Sequence, residues 1–219
     1  MNYFRIRKST SLKEVGHIDQ IDEGIRLIEV DERDAYQTLN RREWPDPMLP
    51  LDIFKLNRAA KLTDVLSCTF TQETVGLVVN EKVKSILESF RLECTKVFPM
   101  SIHSADLTKV HEYFLFYVTE SRELVDFASS TYFKMDRGRT QMIEEISLRD
   151  IDEFYDAYKK TRGGILAPQQ IQFNSEPDFF RIPWGVSPYI SERLKNALEK
   201  AQVTGIDIQP VKLEIMAPK

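Results

Sequence analysis

The 219-residue chain has little of what marks a dedicated chemistry. It holds only two cysteines, Cys68 and Cys94, too few for a disulfide framework and insufficient alone for a zinc site, so a reducing, cytoplasmic setting is expected. Histidine occurs three times, at His17, His103 and His111, with no second histidine or cysteine at i+3 or i+4 to place two ligands side by side around a metal. No uninterrupted apolar run approaches the roughly 20 residues a membrane helix needs. The start, Met-Asn-Tyr-Phe-Arg-Ile-Arg-Lys, has no apolar stretch behind its charges, so no secretory leader is expected. Charge of one sign is scarce as well: 30 basic side chains against 34 acidic ones leave −4. A protein that embraces nucleic acid would carry a basic face, and basic residues interleaved with aromatics do not cluster here. Neither a nucleic-acid partner, a metal nor a cofactor is expected.

Catalytic frames are missing too. Cys68 lies in an apolar-alternating stretch without a G-x-S-x-G or similar frame, which favours a buried, inert thiol. Carboxylates pair at Asp31 and Glu32, at Glu144 and Glu145, and at Asp150 with Asp152 and Glu153. A general acid–base pair must face one pocket, whereas neighbours on a strand point to opposite faces, so these read as solvated faces and a helix cap. Arg162-Gly-Gly lacks the spacing of any phosphate-binding loop. No enzyme is expected.

What the chain does have is one pattern used twice. Val79 to Phe90 reads apolar, Asn80, Glu81, a base, then an amphipathic run with Val83, Ile86, Leu87 and Phe90 at i, i+3, i+4, i+7. Ile190 to Ala201 repeats it with Ser191, Glu192, Arg193 and then Leu194, Ala197, Leu198 and Ala201. Asn and Ser cap first-turn amides, a following Glu sits at the positive end of the helix dipole, and the spacing buries one stripe. A third helix is predicted from Asp150, with Ile151, Phe154, Tyr155 and Tyr158 inward and Glu153 placed for a capping box. Leu51 to Leu62 is a weaker helix candidate.

Tyr113 to Val118, almost wholly apolar and aromatic, predicts a central strand buried on both faces. Leu124 to Phe127, Thr131 to Met135 and Met142 to Leu148 are expected beside it, and Tyr3 to Arg7 and Ile25 to Val30 alternate as half-buried strands. Ile171 and Phe173 suggest a short strand, and Pro210 should break the final strand or hold it at an edge. The whole reads as α+β, a mixed or antiparallel sheet with several amphipathic helices packed on it. Arg41 to Pro50, with three prolines, looks like the joint between a strand-and-loop subdomain over 1–50 and a main domain over 51–219.

Three motifs in order give the chain a family likeness. An apolar strand enters the Asn80-Glu81-Lys82 helix (Leu77 to Leu87). Asp126-Phe127-Ala-Ser-Ser130-Thr-Tyr-Phe133 follows an aromatic strand. Phe180-Arg181 leads to the Ile190-Ser-Glu-Arg-Leu194 helix, which closes in Thr204-Gly205-Ile-Asp-Ile208. On these the chain, over roughly residues 51–213, resembles the eleventh immunity-protein family of bacterial polymorphic toxin systems. Phe127 stands where that family usually has Tyr, and Ala128 where it has a charged residue. The resemblance implies a non-catalytic protein whose partner is a cognate toxin domain, bound and neutralised. It designates no contact surface. Aromatic anchors ringed by acid would be the expected form of a hot spot, which nominates Trp44 with Asp46 and Asp52, and Trp184 with Glu176 and Asp178. Two other readings stay open: an enzyme, for instance a hydrolase, whose residues converge from distant segments, and a structural or regulatory interaction module.

Overall fold

A computed structural model describes residues 2–22, 54–68, 76–136, 141–160, 165–185, 187–211, 214–216 and 218. In chain order the elements are β1 (Tyr3–Lys8), α1 (Leu12–Val15), β2 (Ile21–Asp22), β3 (Phe54–Leu56), β4 (Val65–Leu66), β5 (Gly76–Val79), α2 (Glu81–Glu88), β6 (Thr95–His103), β7 (Val110–Val118), β8 (Val125–Met135) and β9 (Met142–Ile146). Then come α3 (Ile151–Lys160), β10 (Ile165–Phe173), β11 (Phe179–Phe180), β12 (Tyr189–Ser191), α4 (Glu192–Lys200), β13 (Ile206–Pro210) and β14 (Glu214–Met216). The class is α+β, as expected, but among the described residues strands dominate and form three sheets rather than one. The predicted Ile25 to Val30 strand and the joint at 50/51 lie outside the described residues.

Two compact units divide the chain. The larger comprises Phe4–Glu120 and Pro177–Gln209. Its six-stranded sheet runs β2-β3-β6-β7-β5-β4, with β7 between two antiparallel neighbours. Side chains of β7 alternate across the sheet as strand geometry requires. Tyr113, Leu115 and Tyr117 enter a core with Ile21, Phe54, Met100 and Ile102. Phe116 and Val118 enter a second core on the opposite face with Ile6, Val79, Phe179 and Ile190. The expected doubly buried strand is thus present. α2 and α4 join the second core through Val83 and Leu87 and through Leu194 and Leu198, and Ile86 and Phe90 of the expected stripe pack partly buried against it. The second sheet of this unit has the order β11-β12-β1-β13.

One helix expectation fails here. Within Leu51 to Leu62, Phe54–Leu56 is a strand paired in parallel with Ile102 and His103, followed by a turn in which the Ala60 amide donates to Asn57. Phe54 and Leu56 are buried with Lys55 half-buried between them. A period of two won over helix propensity once a partner strand was available.

The smaller unit comprises Met1–Tyr3, Ser121–Glu176 and Pro210–Lys219, and its sheet order is β14-β10-β8-β9. The strands expected beside β7 therefore lie in a different sheet: the Leu124 and Thr131 segments merge into β8, which pairs with β9 and β10. β10 is longer than Ile171 and Phe173 suggested. Among the described residues β14 pairs with it from Gln170 onward, beyond Pro168. α3 packs through Phe154, whose ring lies 6.2 Å from Phe127 and 6.1 Å from Tyr132. Its start is the expected cap, slightly displaced: the Glu153 amide donates to Asp150, and Glu153 accepts from the Arg149 amide. Pro210 ends β13, and β13 and β14 each form an edge of separate sheets, as proline at that position predicts.

Candidate partner-binding surface

The repeated helix pattern builds two matching polar sites in the larger unit. At α2, Asn80 caps by accepting from the Val83 amide at 3.1 Å. Its own amide donates to the Asp64 carbonyl, its Nδ2 to Asp64 Oδ1 at 2.8 Å, and Lys82 Nζ to Asp64 Oδ2 at 3.0 Å. At α4, Ser191 caps by accepting from the Leu194 amide at 3.2 Å. Its amide donates to the Asp178 carbonyl, its hydroxyl to Asp178 Oδ1, and Arg193 to both Asp178 oxygens, through Nη2 at 2.8 Å.

Each aspartate also reaches the chain just beyond the other helix. Asp64 accepts from the Thr204 amide at 2.9 Å, past the end of α4, and Asp178 from the Arg91 amide at 3.0 Å, past the end of α2. The two carboxylates thus tie the start of one helix to the exit of the other, reciprocally. At each, burial pushes the carboxyl up, but the hydrogen bonds outweigh it. The Thr204 amide, Lys82 and Asn80 hold Asp64 below its ordinary value. Arg193, Ser191 and the Arg91 amide do the same for Asp178.

This geometry decides where the nominated contacts stand. Asp178 is 1% exposed and its carboxylate is engaged internally, so a helix clamp, not a partner surface, is where the structure places it. Glu176 and Trp184 are half-buried. Trp44, Asp46 and Asp52 lie outside the described residues. Several residues of the family motifs likewise have internal roles, though Glu81, Lys82, Ala128, Ser129, Glu192 and Arg193 are exposed. Arg181 is completely buried and donates to the Val118 carbonyl at 3.4 Å. Ser130 donates to the Asp126 carbonyl and accepts from the Gln172 amide, shaping an irregularity in β8. Gly205, at φ +83°, brings its backbone so near the Val65 carbonyl that a Cβ would stand 2.0 Å from that oxygen. Sequence order hid the aspartate clamps because their partners are up to 140 residues away.

No group of three His, Cys, Asp or Glu side chains among the described residues could hold a metal ion, and no helix there is long and apolar enough to cross a membrane. Cys68 is buried, as its setting suggested. A pocket beside Arg7, Ser67, Cys68, Gly76 and Ser187 has a volume of about 20 Å³, which suits one water molecule rather than a substrate.

Exposed apolar side chains of the smaller unit concentrate on β9. Met142 and Ile143 are each 60% exposed, next to the exposed Glu144 and Glu145, in the strand that ends its sheet. Tyr158 of α3, expected inward, is exposed as well, toward the end of a helix whose buried residues are Ile151 and Phe154. This strand has an exposed apolar-with-acid composition, away in sequence from Trp44 and Trp184. The signal available in the sequence was the run Met-Ile-Glu-Glu itself.

Compared with known proteins, residues 42–213 match the model of the Immunity protein family (Imm11). No curated protein matches the chain.

Proposed function

The chain belongs to the Imm11 immunity protein family, and from that premise we propose that it binds and neutralises a cognate bacterial toxin domain without catalysing a reaction. The family match over residues 42–213 carries the reading. The internal roles of several family-motif residues support it from another side, since caps, a buried arginine and a close glycine build a scaffold and leave the surface free to follow its partner. The toxin is a protein of the same cell or its kin, and the encounter is cytoplasmic. Trp44, Asp46, Asp52, Glu176 and Trp184 are carried forward as positions to mutate.

The test is co-expression with the toxic C-terminal domain encoded immediately upstream. Growth in its presence is scored with and without this protein. Specific rescue supports neutralisation. Continued killing, with both proteins shown to be folded, refutes it for that pair.

A further inference from the structure

Resting on that proposed role, we infer that the β9 edge is the surface that meets the toxin, and that the toxin face it meets is basic around an apolar recess. Three observations converge on the strand. It ends its sheet, with no strand among the described residues on its outer side. Met142, Ile143, Glu144 and Glu145 are all exposed. Beyond the irregularity at Ile143 the ladder is regular, so the exposed Glu144 and Glu145 point to opposite faces and both faces of this arm are open. Single exposed apolar residues are ordinary. Two adjacent ones on a free edge are the arrangement that invites association, and proteins usually avoid it.

The charges select the occupant. From Gln141 to Leu148 the sequence carries Glu144 and Glu145 and no base. Across the ladder Glu144 faces Lys134, whereas Glu145 faces Phe133 and no base. A second copy pairing edge to edge would set carboxylates near carboxylates, which is unfavourable, so self-association is disfavoured. A basic surface is attracted instead, and acid at the rim speeds encounter and rejects wrong partners.

The ladder also limits the mode of contact. Lys134 pairs with Glu144 but Met135 with Met142, which leaves Ile143 as an extra, bulged residue. A bulge interrupts a regular edge and so discourages a long added strand. The contact is therefore made by side chains, with Met142 and Ile143 entering the recess and the glutamates at its rim.

The experiment uses the full chain and a catalytically inactive form of the upstream toxin domain, with affinity read by calorimetry at low and moderate salt. Glu144→Lys with Glu145→Lys should weaken binding by about tenfold or more, and Ile143→Asp comparably. Wild-type binding should weaken with salt. Val110→Asp, at an exposed position of the larger unit, should bind as wild type does. Met142→Ala with Ile143→Ala serves if a charged variant does not fold. Wild-type binding that these β9 variants leave within about twofold would overturn the inference while leaving neutralisation standing. No binding by the wild type would instead defeat the proposed function itself, and the inference with it.

Discussion

Replacing Asp178 with alanine should unfasten one of the two helix clamps and leave the other intact. The Arg91 amide would lose a charged acceptor, a bond worth about 1.5–3 kcal/mol. The Ser191 hydroxyl, fully buried, would be left without its acceptor at a further cost of about 1–3 kcal/mol. Arg193 adds little, because its side chain is 56% exposed and such pairs contribute about 0–1 kcal/mol. Neighbouring terms do not add fully, so a net loss of about 3–5 kcal/mol is expected. Asp64→Ala is the internal comparison. Its side chain is 15% exposed against 2% for Asp178, so water can replace part of what is lost and about 1–3 kcal/mol should follow. Urea unfolding of both variants at neutral pH, followed by circular dichroism, measures the pair. A loss below about 1 kcal/mol for Asp178→Ala, or one no larger than that for Asp64→Ala, would refute this ordering of the clamps.

Acid should weaken the clamps in a predictable direction. Both carboxyls lie below their ordinary values when folded, so their contribution is complete above about pH 4, the unfolded carboxylate range, and is lost as pH falls through the folded values. Melting temperature against pH should therefore fall less steeply in Asp178→Asn than in wild type, and an unchanged slope would count against it. Phe154→Ala, which empties the contact with Phe127 and Tyr132, should cost about 3–5 kcal/mol by chemical denaturation. Gly205→Ala should cost about 2 kcal/mol or more, because its φ of +83° and the nearby Val65 carbonyl leave a methyl group no room. A neutral Gly205→Ala in the same assay would mean that the backbone relaxes there.

The features legible in the sequence are those written within a few residues. Asn80 and Ser191 each announced a helix start, and the caps form at those positions. The run Tyr113 to Val118 announced a strand buried on both faces, and Pro210 an edge. What needed distant partners was not legible. The Phe54–Leu56 strand depends on a ladder to Ile102 and His103, so local propensity misread it as helix. β8 pairs with β10 on one side and β9 on the other, not with β7, and the β10 partner comes from much later in the chain, beyond local reading. Asp178 looked like an acidic neighbour for Trp184 in sequence, but its partners Arg91 and Arg193 come from two other segments and draw it inside. On β9 the converse holds: Met142 and Ile143 look like core residues on a strand, and only the structure reveals that they are exposed on the last strand of their described sheet.

The most direct test of toxin neutralisation by binding is a calorimetric titration of this protein with an inactive form of the toxin domain whose killing it prevents. A saturable complex of fixed stoichiometry, with a dissociation constant in about the micromolar range or tighter, is the predicted result. Rescue of growth with no detectable complex would contradict the account, because protection would then have to come from an activity of the chain rather than from an interface.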